Sequence, residues 1–210
     1  MKDLSIYFQS IDSGDFSEGE LGHFMQSNET SFPDIEPNGI ALFYVPEHRG
    51  LGLENKKVEK LNLRSFLKKL KTHNCKVPIY DLGDLHPGQT IEDTYFAVTN
   101  VVEELMKFNV LPIVIGGGQD LTFAQYKAYE RLEQTINITA IDPKFDLGTP
   151  DGDLTTDDFL SQIITHKPCY LFNYSNLGYQ TYLIEEKYRL PSLQQYFYKT
   201  STFHLLSHLP

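Results

Sequence analysis

From Gly39 onward the chain becomes rhythmic: short apolar runs alternate with longer amphipathic stretches. Residues 40–45, 77–81, 110–115, 136–141 and 169–173 have the length and composition of buried strands. Between the second and third runs, Ile91, Tyr95, Val98, Val102 and Leu105 recur at three- and four-residue steps. That spacing predicts a helix over 91–108 with one buried face. Thr90 and Asp93 have the spacing of a capping box, in which each side chain satisfies a backbone donor of the first turn. A second helix is expected from Thr122 as N-cap, carrying Phe123, Tyr126 and Leu132. A third is expected near Thr156, where Asp157 and Asp158 suit the positive end of the helix dipole. The basic run over 56–71 reads as a helix whose lysines face solvent, with Leu61, Phe66, Leu67 and Leu70 as its apolar positions.

Strands separated by helices imply βαβ units and a mainly parallel sheet, in which ligands sit beyond the carboxyl ends of the strands. Residues 10–39 are rich in Ser, Asp, Glu, Gly and Asn and keep no period. The expected organisation is an irregular N-terminal arm over 1–38 and an α/β domain over 39–210.

Composition narrows the partners. A formal net charge of −10 disfavours nucleic acid, which needs a basic footprint. No apolar run is long enough to span a bilayer and the N-terminus lacks a signal-peptide pattern, so no membrane role is expected. Cys75 and Cys169 are isolated and suggest neither a disulfide framework nor a zinc site. A cytoplasmic location is the simplest expectation.

Two strand ends carry the candidate chemistry. One is Gly116-Gly117-Gly118-Gln119-Asp120, after the third run; the other is Asp142-Pro143-Lys144-Phe145-Asp146, after the fourth. In extended chain Asp142, Lys144 and Asp146 share one face. A lysine ammonium has no lone pair for a metal. Its charge instead suits pairing with Asp142 and Asp146, although a loop lysine also points readily to solvent. The three glycines invite an anion-binding reading, but the segment is neither Gly-x-Gly-x-x-Gly nor a P-loop, and Asp120 would repel a phosphate. A nucleotide-binding α/β domain is therefore a distant third reading. The acidic stretch over 151–158 reads as a loop feeding a helix. The polar stretch over 173–180, with Asn173 and Asn176, could line a pocket or satisfy its own backbone.

The two blocks resemble the metal-binding strand ends of the arginase/ureohydrolase superfamily, which includes agmatinase and formimidoylglutamase. That family carries Gly-Gly-Asp-His-Ser at the first and Asp-Ala-His-x-Asp at the second. Glu47-His48-Arg49-Gly50 and Asp81-Leu82-Gly83-Asp84 extend the resemblance, which covers roughly residues 39–183. It implies a three-layer α-β-α sandwich with a mainly parallel sheet, the ureohydrolase fold, truncated at its C-terminus because family members continue well beyond this length. It also sets the family's dimanganese ligand positions, here degenerate, at Gln119, Asp142, Lys144 and Asp146, and Gly117, Gly118, Asp120, Asn173 and Asn176 are the candidates for lining a pocket beside them. Here both histidines are replaced, by Gln119 and Lys144.

The resemblance therefore implies a formimidoylglutamase-like pseudoenzyme with incomplete ligands, acting as a binding or structural module without a cofactor. The alternative is an active manganese hydrolase of guanidino or formimino C–N bonds, completed by segments outside this chain. A small amidine or amino acid is the ligand class implied. Open strand edges would call for a homo-oligomer or a missing C-terminal segment.

Overall fold

The computed structural model describes residues 2–12, 14–52, 63–72, 76–149, 152–183 and 202–206. It divides into two compact units, 1–118 and 119–210, each with its own sheet. The fold class is α/β with mainly parallel strands, as the alternating pattern implies.

In the first unit β1 (Phe8–Gln9), α1 (Leu21–Phe24) and β2 (Gln26–Ser27) precede the parallel strands β3 (Ile40–Tyr44), β4 (Ile79–Leu85) and β5 (Leu111–Ile115). The order is β1-β4-β3-β5, with β2 also pairing β4. Residues expected as an irregular arm thus supply β1, antiparallel to β4, and β2, parallel to it. Central β3 is apolar throughout because both of its edges are paired, and Ala41 and Phe43 are fully buried.

Between β4 and β5, α3 (Ile91–Lys107) begins at the expected capping box. Thr90 Oγ1 accepts from the Asp93 amide at 3.2 Å, and Asp93 Oδ2 accepts from the Thr90 amide at 2.9 Å. Its fully buried apolar residues are Val98, Val101, Val102 and Leu105, each worth about 1.5–3 kcal/mol of apolar burial. Thr94 is buried, whereas Ile91 and Tyr95 are only partly so, which turns the inner face slightly from the expected one.

The basic helix departs most from expectation. Its described part is α2 (Leu63–Lys68); residues 56–62, including Leu61, and Cys75 lie outside the described residues. Lys68 is 1% exposed, while Phe66 and Leu70 are 67% and 56% exposed. The reason is electrostatic. Asp81 on β4 is fully buried, and a buried carboxylate needs a cation. Lys68 Nζ lies 3.0 Å from Asp81 Oδ2 and donates to Ser27 Oγ at 2.8 Å. Arg64 joins Asp81 at 3.0 Å and Asp84 at 2.7 Å.

In the second unit β6 (Ile136–Ile141), β7 (Leu171–Leu177) and β8 (Thr202–Leu206) are parallel and adjacent in that order. Tyr126 of α4 (Leu121–Arg131) and Phe159, Leu160 and Ile163 of α5 (Phe159–Thr165) join Phe145, Leu147, Leu171 and Tyr174 in one core. Both helices begin near their expected starts, but after Asp120 and Asp158 rather than at Thr122 and Thr156. β7 runs four residues past its expected end, because 173–177 pairs with β6 and β8. Among the described residues no helix is long and apolar enough to cross a membrane.

Candidate functional site at the carboxyl ends of β6 and β7

β6 hands its chain to the acidic loop while still tied to β7: the Asp142 amide donates to the Leu177 carbonyl at 3.2 Å. Asp142 then organises the turn. Its Oδ1 accepts from the Lys144 amide at 2.6 Å, an Asx-type turn, and its Oδ2 accepts from the Gln119 side-chain amide. Both carboxylate oxygens are thus engaged by donors of the protein itself.

Lys144 does not follow Asp142 and Asp146 into a closed triad. Its Nζ lies 3.5 Å from Asp157 Oδ1, and both side chains are exposed. The buried contact of Lys144 is through its carbonyl, which accepts from Asn176 Nδ2 at 2.6 Å. Phe145, 4% exposed, anchors the loop in the core and packs on Tyr179, ring centroids 5.0 Å apart.

Asp146 follows in a left-handed conformation, φ 48°, and is 8% exposed. Burial pushes its carboxyl up to about 7; Asp142 and Asp157 add to the rise, and Lys144 opposes it. The Tyr174 phenol, fully within the core, is also raised well above its ordinary value, first by burial. Asn176, 0% exposed, donates to the Tyr174 hydroxyl at 3.4 Å, and its Oδ1 is a buried acceptor without a partner.

The structure thus brings Gln119, Asp142, Lys144 and Asn176 together through hydrogen bonds, with Asp146 electrostatically coupled to Asp142. Asp120 is fully buried just before α4. Asn173 is not in this group. It lies three residues back along β7, about 10 Å at the strand rise, and donates to Asn137 Oδ1 at 3.0 Å. Gly117 and Gly118 belong to the first unit, where Gly116 and Gly117 adopt φ of 88° and 76°, a left-handed turn open to glycine. Tyr174 and Asp157 were not singled out by sequence as site residues. Period-two alternation from Asn176 would have put Tyr174 on the same face.

Matching strand-end residues in the first unit are tied up among themselves. Glu47, 2% exposed, accepts from Arg49 Nε and Nη2 at 2.9 and 2.6 Å and from Thr94 Oγ1 at 2.9 Å. Burial raises the Glu47 carboxyl, but these donors outweigh it and hold the group below its ordinary value. Arg49 also caps the carbonyls of Gly88, Gln89 and Thr90. The loop 47–50 is therefore fastened to the start of α3.

The family model described as "Arginase family" matches residues 55–204. The chain belongs to the arginase family. The formimidoylglutamase of Streptococcus gordonii is 24% identical over 194 residues, covering 85% of this chain and 58% of that protein. That of Streptococcus pyogenes serotype M5 is 24% identical over 154 residues, covering 68% of this chain and 47% of the relative. The chain thus spans about half the length of the curated relatives it matches. Among solved structures, Bacillus subtilis formimidoylglutamase superposes with a TM-score of 0.65 at 14% identity, covering 94% of this chain and 64% of that one. Trypanosoma cruzi formiminoglutamase with Mn2+ gives 0.64 at 16% identity, covering 80% and 60%. These likenesses establish an arginase-type fold.

The residues at the family's ligand positions do not fit a pair of manganese ions. The set is one amide, one ammonium and two carboxylates, without an imidazole. Asp142 is already occupied on both oxygens, and the Lys144 charge would oppose a cation. Among the described residues no three His, Cys, Asp or Glu side chains are grouped to hold a metal ion.

Proposed function

We propose that this arginase-family chain is a formimidoylglutamase-like pseudoenzyme whose ancestral metal pocket has become a polar, metal-free binding or structural module. The observation that carries this reading is the saturation of Asp142 by the Gln119 amide and the Lys144 backbone. A carboxylate so engaged, beside a lysine, is poorly placed to accept a divalent cation. What the loop cluster keeps is an unpartnered buried acceptor on Asn176 and a protonatable carboxyl on Asp146. Both suit a small ligand rich in N–H donors, which makes an amidine or amino acid the favoured class.

A second reading, a manganese-dependent hydrolase of guanidino or formimino C–N bonds, draws support from Asp146. Its proton affinity is raised first by burial and then by the charges of Asp142 and Asp157, and a cation would offset that second part. In that reading further ligands come from segments outside this chain, which spans 58% of the Streptococcus gordonii relative. Assays for urea release from arginine and agmatine, and for formamide release from formiminoglutamate, with and without manganese, separate the two. Turnover that depends on manganese and is lost in Asp142→Ala would replace the first reading with the second.

A further inference from the structure

The chain enters β3 through a turn whose residues have little freedom. Pro37 and Asn38 stand at the centre of the turn over 36–39, and Asn38 adopts φ of 65°. That is the positive φ which the third position of a type II turn takes, and asparagine tolerates it better than most side chains. Gly39 is held by lack of space. A Cβ there would come 2.7 Å from the Tyr80 ring and 3.1 Å from the Pro78 carbonyl oxygen. The ring cannot give way, because Tyr80 is fully buried and its hydroxyl accepts from the Glu36 amide at 2.9 Å.

The fold thus places a chemically labile pair, Asn-Gly, ahead of its central strand. A glycine leaves attack on the preceding asparagine side chain unhindered. The Gly39 nitrogen attacks Cγ of Asn38 and closes a five-membered succinimide. The Cγ–Nδ2 bond breaks, Nδ2 takes the Gly39 amide proton by way of solvent, and ammonia leaves. Water then opens the ring to aspartate or isoaspartate. Isoaspartate adds one carbon to the main chain directly before Ile40, where β3 pairs with Ile79 on β4 and Leu111 on β5.

Asn38 is exposed, so water and base reach it. What opposes the reaction is Asn109, which follows α3 with φ of 59°. Asn109 Nδ2 donates to Asn38 Oδ1 at 2.6 Å, and the Asn109 carbonyl accepts from the Asn38 amide at 2.8 Å. In a left-handed residue the following nitrogen points away from the side chain. Ring closure therefore requires rotation about the Cα–C bond of Asn38, out of the turn and out of the clamp. We propose that Asn38 is a latent deamidation site held closed by Asn109. This inference is independent of the metal question.

Mass spectrometry of the whole chain, kept in mildly alkaline buffer and mapped at the peptide carrying Asn38, tests it. In the folded wild type, conversion at Asn38 should be at least about tenfold slower than in urea, where both clamp bonds are absent. Asn109→Gly keeps the positive φ and the main-chain carbonyl but deletes the side-chain donor. Circular dichroism checks that it folds. Its conversion at Asn38 should be about three- to tenfold faster than in wild type, the range that one lost hydrogen bond gives. In urea the two proteins should convert at the same rate. A folded wild type that deamidates at Asn38 as fast as in urea would overturn the proposal, and this comparison needs no variant. So would a folded Asn109→Gly that is as slow as wild type, or a difference between the two that persists in urea.

Discussion

The Gln119 side-chain amide donates to Asp142 Oδ2, while the Lys144 backbone takes Oδ1. An amide at the position where the resemblance would place a histidine thus supplies the donor that engages the neighbouring carboxylate. Restoring imidazoles should reverse this. The double variant Gln119→His with Lys144→His is expected to bind manganese at least about tenfold more tightly than the parent, since ligand and outer-shell changes at such sites act on that scale. Titration calorimetry checks it, and equal binding by the two proteins would mean that the two positions do not control the site.

Lys68 and Asp81 form a buried pair in the first unit, 3.0 Å apart and 1% and 0% exposed. Removing one charge leaves the other in low dielectric. Lys68→Ala is expected to lower stability by about 3–5 kcal/mol, measured by urea denaturation. Lys68→Met with Asp81→Leu should cost less than the sum of the two single changes.

Asp146 gives a pH dependence with a definite sign. Its carboxyl is raised in the folded state from 3.8 to about 7, so folding favours the protonated form. The contribution is fully present below pH 4 and is lost as pH rises toward and through 7. Asp146→Asn should therefore flatten the fall in melting temperature between pH 4 and 7 and stabilise the protein above 7. Melting curves across that range, with an NMR titration of the carboxyl, provide the check. An Asp146 that titrates near 4 would remove the effect.

The Thr90–Asp93 capping box should behave as a local feature. Thr90→Ala is expected to cost about 1 kcal/mol and to leave oligomeric state and ligand binding unchanged. Denaturation and sedimentation of the variant measure both.

How much of this was legible in the sequence depended on how local the cause was. The α3 cap, β6 and the two strand-end loops follow from near-neighbour chemistry, and the structure places them where the pattern implies. The resemblance at 116–120 and 142–146 led to the arginase family. The inversion of α2 could not be read locally. Lys68 is buried because Asp81, thirteen positions away and on another element, must be compensated. β7 was expected to end at Asn173 because the polar stretch over 173–180 read as a loop, whereas pairing with β6 and β8 carries the strand on to Leu177. The sequence named Gln119, Asp142, Lys144 and Asn176, which the structure joins by hydrogen bonds. What periodicity could not supply was which donor each carboxylate takes: the Gln119 side chain and the Lys144 backbone, not the Lys144 ammonium, hold the Asp142 side chain, and Lys144 Nζ reaches Asp157.

The most direct test of the account is manganese titration of the purified chain at neutral pH by calorimetry, paired with elemental analysis. The saturation of Asp142 and the charge of Lys144 lead to the expectation of no stoichiometric manganese. Tight binding of one or two manganese ions per chain would contradict it and make the chain a metal-dependent member of its family.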